Sequence, residues 1–494
     1  MHRDEIDRTS CTLMEDDKAH NAAGVPPPPS YEEAAFRMFG LLNATASQPA
    51  HLHSLRVLGT ERTRESFLKN VTASTFAGMT VADVINNVQD TAEKLQRLDI
   101  FDSVNVILDT SRDPFAARDA LDCVLQVKEK SRFFLKTGTE IGNGEGNMNG
   151  SITIRNALGG AEMLETSASF GTRNSSAFQF SLSRPVNASP DARVDINAHS
   201  VVRNNMMFSS HEELARGVGA RFKGLSNWGY HELSYDVSWR TIDRVAEHGS
   251  LRFFCMPCSI RNQAGHTLKS SISHIFFRDR RDDSLLPTKG YHLRLTQELA
   301  GVGSLGDTKY FKNEVEASTS HQFGGGELLH DEDGNIKAIA PGYVLTLSAR
   351  GGLLATLNDK EASITDRFML GGPLSIRGFR TCGVGPRDKK DSLGGDAYWA
   401  TGLSLITPLP KLADKPLRGH LFVNAGTLIP WKTGTSAADT AQALIRSPSV
   451  ATGFGIIYHH SVARLELNFC IPLTVARGDQ FKRGFQLGLG LNFM

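Results

Sequence analysis

Residues 370–380 read Leu370-Gly371-Gly372-Pro373-Leu374-Ser375-Ile376-Arg377-Gly378-Phe379-Arg380. On either side, over 343–350 and 398–405, apolar and polar residues alternate, so the stretch lies in a long connection within a sheet, spanning 367–397. A connection of that length is either functional or disordered, and this one lacks the features of disorder. Gly371, Gly372 and Gly378 permit left-handed or very tight backbone, and Pro373 fixes one φ. Ile376 and Phe379 want burial. Between them Arg377 carries a planar fork of donors that wants carboxylate, amide or carbonyl partners. A loop that docks inside something hollow would be written this way.

The alternation extends over residues 139–494. Phe178, Phe180 and Leu182 alternate with Gln179 and Ser181; Leu233, Tyr235, Val237 and Trp239 with Ser234, Asp236 and Ser238. Leu465, Leu467 and Phe469 alternate with Arg464, Glu466 and Asn468. One face is aliphatic or aromatic and the other polar. A β-sandwich also alternates, but its strands are shorter and its polar face meets bulk water. About 16 segments of roughly ten residues have the size and even number of an antiparallel transmembrane β-barrel.

The bulk properties agree with a membrane barrel. The 494 residues suggest one large and one small unit. Lys and Arg total 54 against 53 Asp and Glu, which leaves no basic footprint for nucleic acid. Mean hydropathy is −0.24, and no run of ~18 apolar residues offers a helical span. That absence says nothing against barrel strands, whose two faces average to a mildly polar composition. The six cysteines are scattered, and Cys255 and Cys258 form the one close pair. Without a second pair or nearby histidines the pair is weak for zinc. No P-loop, metal-spaced histidine set or Ser-His-Asp order stands out, so neither an enzyme nor a cofactor is expected. The acid-rich start resembles neither a secretory signal nor a cleavable presequence.

Residues 1–50 read as a disordered arm, charged and then proline-rich. Its Pro28-Pro29-Ser30-Tyr31 fits a WW-domain ligand pattern, although a chance match in a flexible tail accounts for it more simply. Residues 51–132 form a compact unit: a strand near 55–58, a short helix over 65–73, then a longer helix. Val81, Val84, Ile85, Val88, Ala92 and Leu95 set that second helix, with Thr80 as its N-cap. Strands over 104–108 and 121–127 complete a two-layer α+β domain. It is either an inert spacer or a sheet edge that accepts an extended client; the residues alone do not choose.

These motifs carry a family resemblance. Gly371-Gly372 followed by Ile376-Arg377-Gly378-Phe379 resembles the signature loop of the BamA-like outer-membrane insertases. Continued through Leu393-Gly394-Gly395, Ala397-Tyr398-Trp399-Ala400 and Thr407-Pro408-Leu409-Pro410, the run is similar to one branch, the core barrel subunits of the mitochondrial sorting and assembly machinery. The resemblance implies that the loop tucks into the barrel lumen, with Arg377 against Phe422 and Asn424 on the next strand. Leu95, Leu98, Ile100, Phe101 and Val104 look like the signature of a POTRA domain, with Asp99 replacing its usual glycine. Residues 279–282, followed by Leu286-Pro287 and Gly290, resemble a family turn that also reads as an ordinary solvated one. Gln486, Gly488, Leu491 and Phe493 fit the β-signal of mitochondrial barrel proteins, polar-x-Gly-x-x-hydrophobic-x-hydrophobic.

What the resemblance implies about function is therefore specific. The chain would insert and fold β-barrel precursors in the mitochondrial outer membrane, its N-terminal domain in the intermembrane space. Its partners would be precursor polypeptides, accessory subunits of an assembly complex and the lipid bilayer. Gly488 and Gly490 face the glycine-rich start at 142–150 and would weaken the seam between first and last strands, so that clients enter there. A polypeptide-translocating pore of the same superfamily and a passive porin-like channel are the competing readings.

Overall fold

The computed structural model describes Gly40 and residues 44–490, apart from 118, 143–144, 172–174, 244–259, 326–327, 331–335, 340–341, 359, 410–414, 432–435 and 460–463. Most of the expected arm, with Pro28–Tyr31, lies outside the described residues, as do Cys11, the Cys255/Cys258 pair, Leu491 and Phe493.

The N-terminal unit is β1 (His51–Leu58), α1 (Glu65–Thr72), α2 (Val81–Arg97), β2 (Phe101–Thr110) and β3 (Ala120–Glu129). Its sheet has the order β1-β3-β2, with β1 parallel and β2 antiparallel to β3. Val84, Val88 and Leu95 bury one face of α2 against Leu125 and Val127 of the central strand. Thr80 caps α2 in a reciprocal box, accepting from the Asp83 N–H and donating its own to the Asp83 carboxylate, both at 3.2 Å. The arm ends sooner than residue 50. The carbonyls of Gln48 and Ala46 accept the Val81 and Ala82 amides, two of the helix-start donors that would otherwise lack partners.

The rest of the chain forms one 16-stranded antiparallel sheet. Its first ten strands are β4 (Phe133–Gly142), β5 (Glu145–Arg155), β6 (Met163–Gly171), β7 (Ser176–Pro185), β8 (Ala192–Asn204), β9 (Glu212–Leu225), β10 (Tyr230–Asp243), β11 (Gly265–Asp279), β12 (Gly290–Ala300) and β13 (Tyr310–Phe323). A small hairpin, β14 (Leu328–His330) and β15 (Ile336–Ile339), stands apart before β16 (Tyr343–Thr356). The long loop carries a two-residue ladder, β17 (Arg387–Asp388) with β18 (Asp391–Ser392). The wall then closes with β19 (Ala397–Pro408), β20 (Leu417–Ile429), β21 (Ser449–His459), β22 (Arg464–Thr474) and β23 (Gly484–Gly490). Two short helices, α3 (Met206–Ser209) and α4 (Ala437–Arg446), lie in connections.

Consecutive wall strands pair as antiparallel ladders, with one register shift, at Val450–Ala451, and the sheet curls until β23 and β4 approach within 8 Å. No ladder joins those two among the described residues. The alternation read from sequence becomes two faces: Leu233, Tyr235 and Trp239 are exposed outside, whereas Ser238 is buried inside. Among the described residues no helix is long and apolar enough to cross a membrane. The first strand begins at Phe133, so the glycine-rich run 142–150 takes in only its last residue, Gly142, with the turn and the first half of β5.

The N-terminal unit rests on one end of the barrel. The Arg64 N–H donates to the Gly159 carbonyl at 2.8 Å, and Asn156 Nδ2 to Thr63 Oγ1 at 2.9 Å. Arg193 Nη2 donates to the Leu98 carbonyl at 3.3 Å, while Ala161 and Ala188 from the barrel turns join the domain's core.

Candidate functional site

The loop between β16 and β19 folds back into the lumen and is buried there. Ile376, Arg377 and Phe379 are essentially inaccessible. Gly371, Gly372 and Gly378 have φ of 108°, 119° and 83°, the left-handed region that disfavours side chains. At Gly378 a Cβ would sit 2.8 Å from that of Ala451. The wall beneath is built to receive the loop: a Cβ on Gly426 would meet Ile376 Cδ1 at 2.5 Å.

Arg377 does not pair with Asn424. Its Nε donates to Glu466 Oε2 at 2.9 Å and its Nη2 to Oε1 at 3.2 Å. Arg464 also pairs with this carboxylate, and Asn468 Nδ2 donates to it at 2.7 Å. Phe422 is where the resemblance put it, under the guanidinium, with 5.1 Å from Cζ to the ring centroid. Asn424 instead donates to the Ser375 carbonyl at 3.1 Å. The reason for the difference is charge. A buried guanidinium needs an anion, and Glu466 supplies one where a neutral amide could not.

The closing strand holds the loop directly. Gln486 Oε1 accepts the Gly378 N–H and its Nε2 donates to the Phe379 carbonyl, both at 3.0 Å. Just before β23, the Arg380 N–H donates to the Gln480 carbonyl at 3.0 Å, the Gln480 N–H to Gly383 at 2.7 Å, and the Lys482 N–H to Gly378 at 2.8 Å. Loop and closing strand form one hydrogen-bonded unit. Gly488 lies opposite Glu466 in the ladder and is buried.

The loop's other shoulder is anchored across the barrel. Asp366 Oδ1 accepts from Arg240 Nη1 at 2.7 Å, Lys269 Nζ at 3.2 Å and the Tyr310 hydroxyl at 2.8 Å. Burial alone would raise its pKa, but Lys269 and Arg240 outweigh that and hold it down to about 2.

At the opposite end, the turn from Asp279 to Gly290 is more than a solvated bend. Arg281 closes on Asp279 through Nε at 2.9 Å and Nη2 at 2.7 Å. Asp282 accepts the Thr288 and Lys289 amides at 2.9 and 3.1 Å. So braced, the turn crosses the lumen: Leu286 packs on Val344, Ile406 and Ile457, and Arg464 Nη1 donates to the Leu285 carbonyl at 3.4 Å. Arg464 thus touches both this turn and the carboxylate that holds the lumen loop.

Leu95, Leu98, Ile100 and Phe101 are core residues of the N-terminal unit, with Val104 packed against them. Their pattern is explained by burial. Asp99 takes the glycine's left-handed conformation, φ 61°, and its carboxylate lies against Lys130 and Arg155. Glu466 and Arg464 were missed as site residues. Their signal was parity: both share the lumen face of a strand whose alternation was plain.

The Omp85 superfamily domain matches residues 156–493. A SAM50-like protein of Schizosaccharomyces pombe is 37% identical over 474 residues, covering 94% of this chain and 95% of that one. The sorting and assembly machinery component 50 homolog of Bos taurus is 34% identical, covering 88% and 89%. Among solved structures, BamA from Haemophilus ducreyi lacking POTRA domains 1–3 superposes with a TM-score of 0.69 at 18% identity, covering 89% of this chain and 84% of that one.

Proposed function

This chain belongs to the Omp85 superfamily, in the branch of the sorting and assembly machinery component 50 proteins, and we propose that it inserts β-barrel precursors into the mitochondrial outer membrane by lateral release at the seam between β4 and β23. The observation that carries this reading is the seam. Every other neighbouring pair of wall strands shares a ladder, and these two share none among the described residues. In lipid, the N–H and C=O groups of an unpaired strand are expensive to leave unsatisfied. An incoming strand with its own β-signal satisfies them by pairing with β4. Hairpins then add one at a time, and the client closes on itself and buds off.

The loop supplies the fixed side of the seam. Tied to β23 through Gln486 and residues 480–482, it restrains the closing strand while β4 moves. A lumen occupied by the loop favours release into the bilayer over passage through the pore. The N-terminal unit is a POTRA domain facing the intermembrane space, where the free edges of β1 and β2 receive extended clients by strand addition. No covalent bond changes in this scheme, so no catalytic residue or cofactor is required. Accessory subunits of the assembly complex are further partners.

The test is reconstitution of the purified full chain in liposomes with an unfolded barrel precursor. Cysteine pairs placed along 133–139 and 485–489 would lock the seam by oxidation. Precursor insertion should stop on oxidation and return on reduction; undiminished insertion by the locked chain overturns lateral release.

A further inference from the structure

Helix α4 lies against the outside of the barrel. At the end away from the N-terminal unit, β19 begins and β20 finishes, and there Trp399 and Thr427 are ladder partners. Their strand neighbours Tyr398 and Leu428 pack with the lumen loop, so alternation turns Trp399 and Thr427 outward. Trp399 Nε1 donates to the Leu444 carbonyl at 2.8 Å, and Thr427 Oγ1 to the Ser447 carbonyl at 3.2 Å. A helix leaves its last carbonyls without partners of its own; here two outward side chains take them and clamp the end of α4 to the wall. Thr427 is buried beneath the helix although it faces outward. The clamp sits at the level of an aromatic girdle. Phe170, Trp239, Phe311 and Phe485 each lie within four residues of the same end of their strands and are exposed on the outside.

Aromatic girdles of membrane barrels mark the level of the lipid headgroups, and the faces of α4 sort accordingly. Thr440 and Leu444 turn to the wall, the first buried and the second half-buried. Ala438, Ala441 and Ile445 recur at i, i+3 and i+7 along one flank and are exposed, Ile445 by 72%. Asp439, Gln442 and Arg446 recur at the same spacing along the other flank, also exposed. We propose that α4 is a membrane-surface helix, its apolar flank resting in the leaflet remote from the N-terminal unit and its polar flank in water. Lipid is the occupant because this flank continues a wall that already faces lipid, at the depth where hydrocarbon gives way to headgroups. An isolated helix with so little apolar surface would leave the membrane. Clamped to the wall, α4 is held at the interface at high effective concentration, and Ile445 with two alanines suffices. The bilayer then grips the barrel at β19 and β20, the latter three strands from β23, on the side that the lumen loop restrains. The inference does not depend on lateral release.

The test uses the full chain in phosphatidylcholine liposomes. A fluorescent dye is placed on Ala441→Cys, Ile445→Cys, Asp439→Cys or Gln442→Cys in turn, with the unsubstituted chain treated alike as the background. Lipids brominated high on their acyl chains should quench the dye at 441 and 445 about threefold more than at 439 and 442, and aqueous iodide should show the reverse order. Adding Trp399→Phe and Thr427→Val to Ile445→Cys opens the clamp, and lipid quenching at 445 should fall about twofold. Folding of each variant is checked by the altered gel mobility of an unheated barrel. Equal lipid quenching on both flanks, or iodide quenching everywhere with none from lipid, overturns the proposal. So does protection of position 445 from both quenchers, which marks a protein contact in place of lipid, and so does unchanged lipid quenching in the folded chain with its clamp opened.

Discussion

Arg377 and Glu466 meet inside the barrel with side-chain exposures of 1% and 0%, 89 residues apart in the chain. Glu466 also holds Arg464, so the two partners are not equivalent. Removing Arg377 leaves a carboxylate still paired; removing the charge of Glu466 leaves two buried cations facing each other. Glu466→Gln should therefore destabilise loop docking by about 3–5 kcal/mol. Arg377→Gln should cost about half as much by the same reasoning. Protease cleavage within residues 370–390, compared between the variants, checks the order. Equal sensitivity would mean Arg464 does not compensate.

Asn424 predicts a smaller effect. It contributes one hydrogen bond, to Ser375, so Asn424→Ala should cost roughly 1 kcal/mol. Thermal unfolding of the barrel should rank it well below Glu466→Gln.

Gln486 joins the loop to the closing strand through two backbone bonds. Gln486→Leu keeps the bulk and leaves the Gly378 N–H and Phe379 C=O unpaired, at about 1–3 kcal/mol each. Hydrogen exchange should then quicken at Gly378 and along β23 together. Faster exchange at Gly378 with β23 unchanged would show that the two do not move as a unit.

Gly378 combines a left-handed φ with a close approach to Ala451. Gly378→Ala should cost about 1–2 kcal/mol for conformation and about 1–3 for crowding. Pairing it with Ala451→Gly should recover the crowding part only, which a double-mutant cycle on barrel stability measures.

Asp99 offers a test in the N-terminal unit. Asp99→Gly relieves about 1 kcal/mol of left-handed strain and gives up the half-buried pairs with Lys130 and Arg155, worth about 1 kcal/mol. Its melting temperature should hardly move, whereas Asp99→Ala, which keeps the strain and loses the pairs, should lower it.

The architecture was legible because barrel strands must present lipid on one side and lumen on the other, and the residues alternate accordingly. The N-terminal elements were legible too, through the spacing of Val84, Val88 and Leu95 and the cap at Thr80. The loop declared its burial through Ile376, Phe379 and three glycines. What sequence could not supply was the partner of Arg377. Strand parity puts Phe422, Asn424 and Glu466 all on the lumen face, and the resemblance pointed to the nearest in sequence. Only the curl of the sheet decides which of them the guanidinium reaches. The same holds for Gln486, whose role depends on residues 480–482 folding onto a loop some hundred residues earlier. The turn from Asp279 to Gly290 looked like a surface bend because its target, the far wall, is distant in sequence.

The most direct test of lateral insertion is site-specific disulfide trapping in mitochondria carrying this chain. Single cysteines would be placed along 133–139 of β4, with a radiolabelled barrel precursor bearing one cysteine in its own β-signal. Crosslinks from that signal to β4, lost when the signal's glycine is replaced, are the predicted result. Crosslinks only between β4 and this chain's own β23, unchanged by precursor, would contradict insertion at the seam.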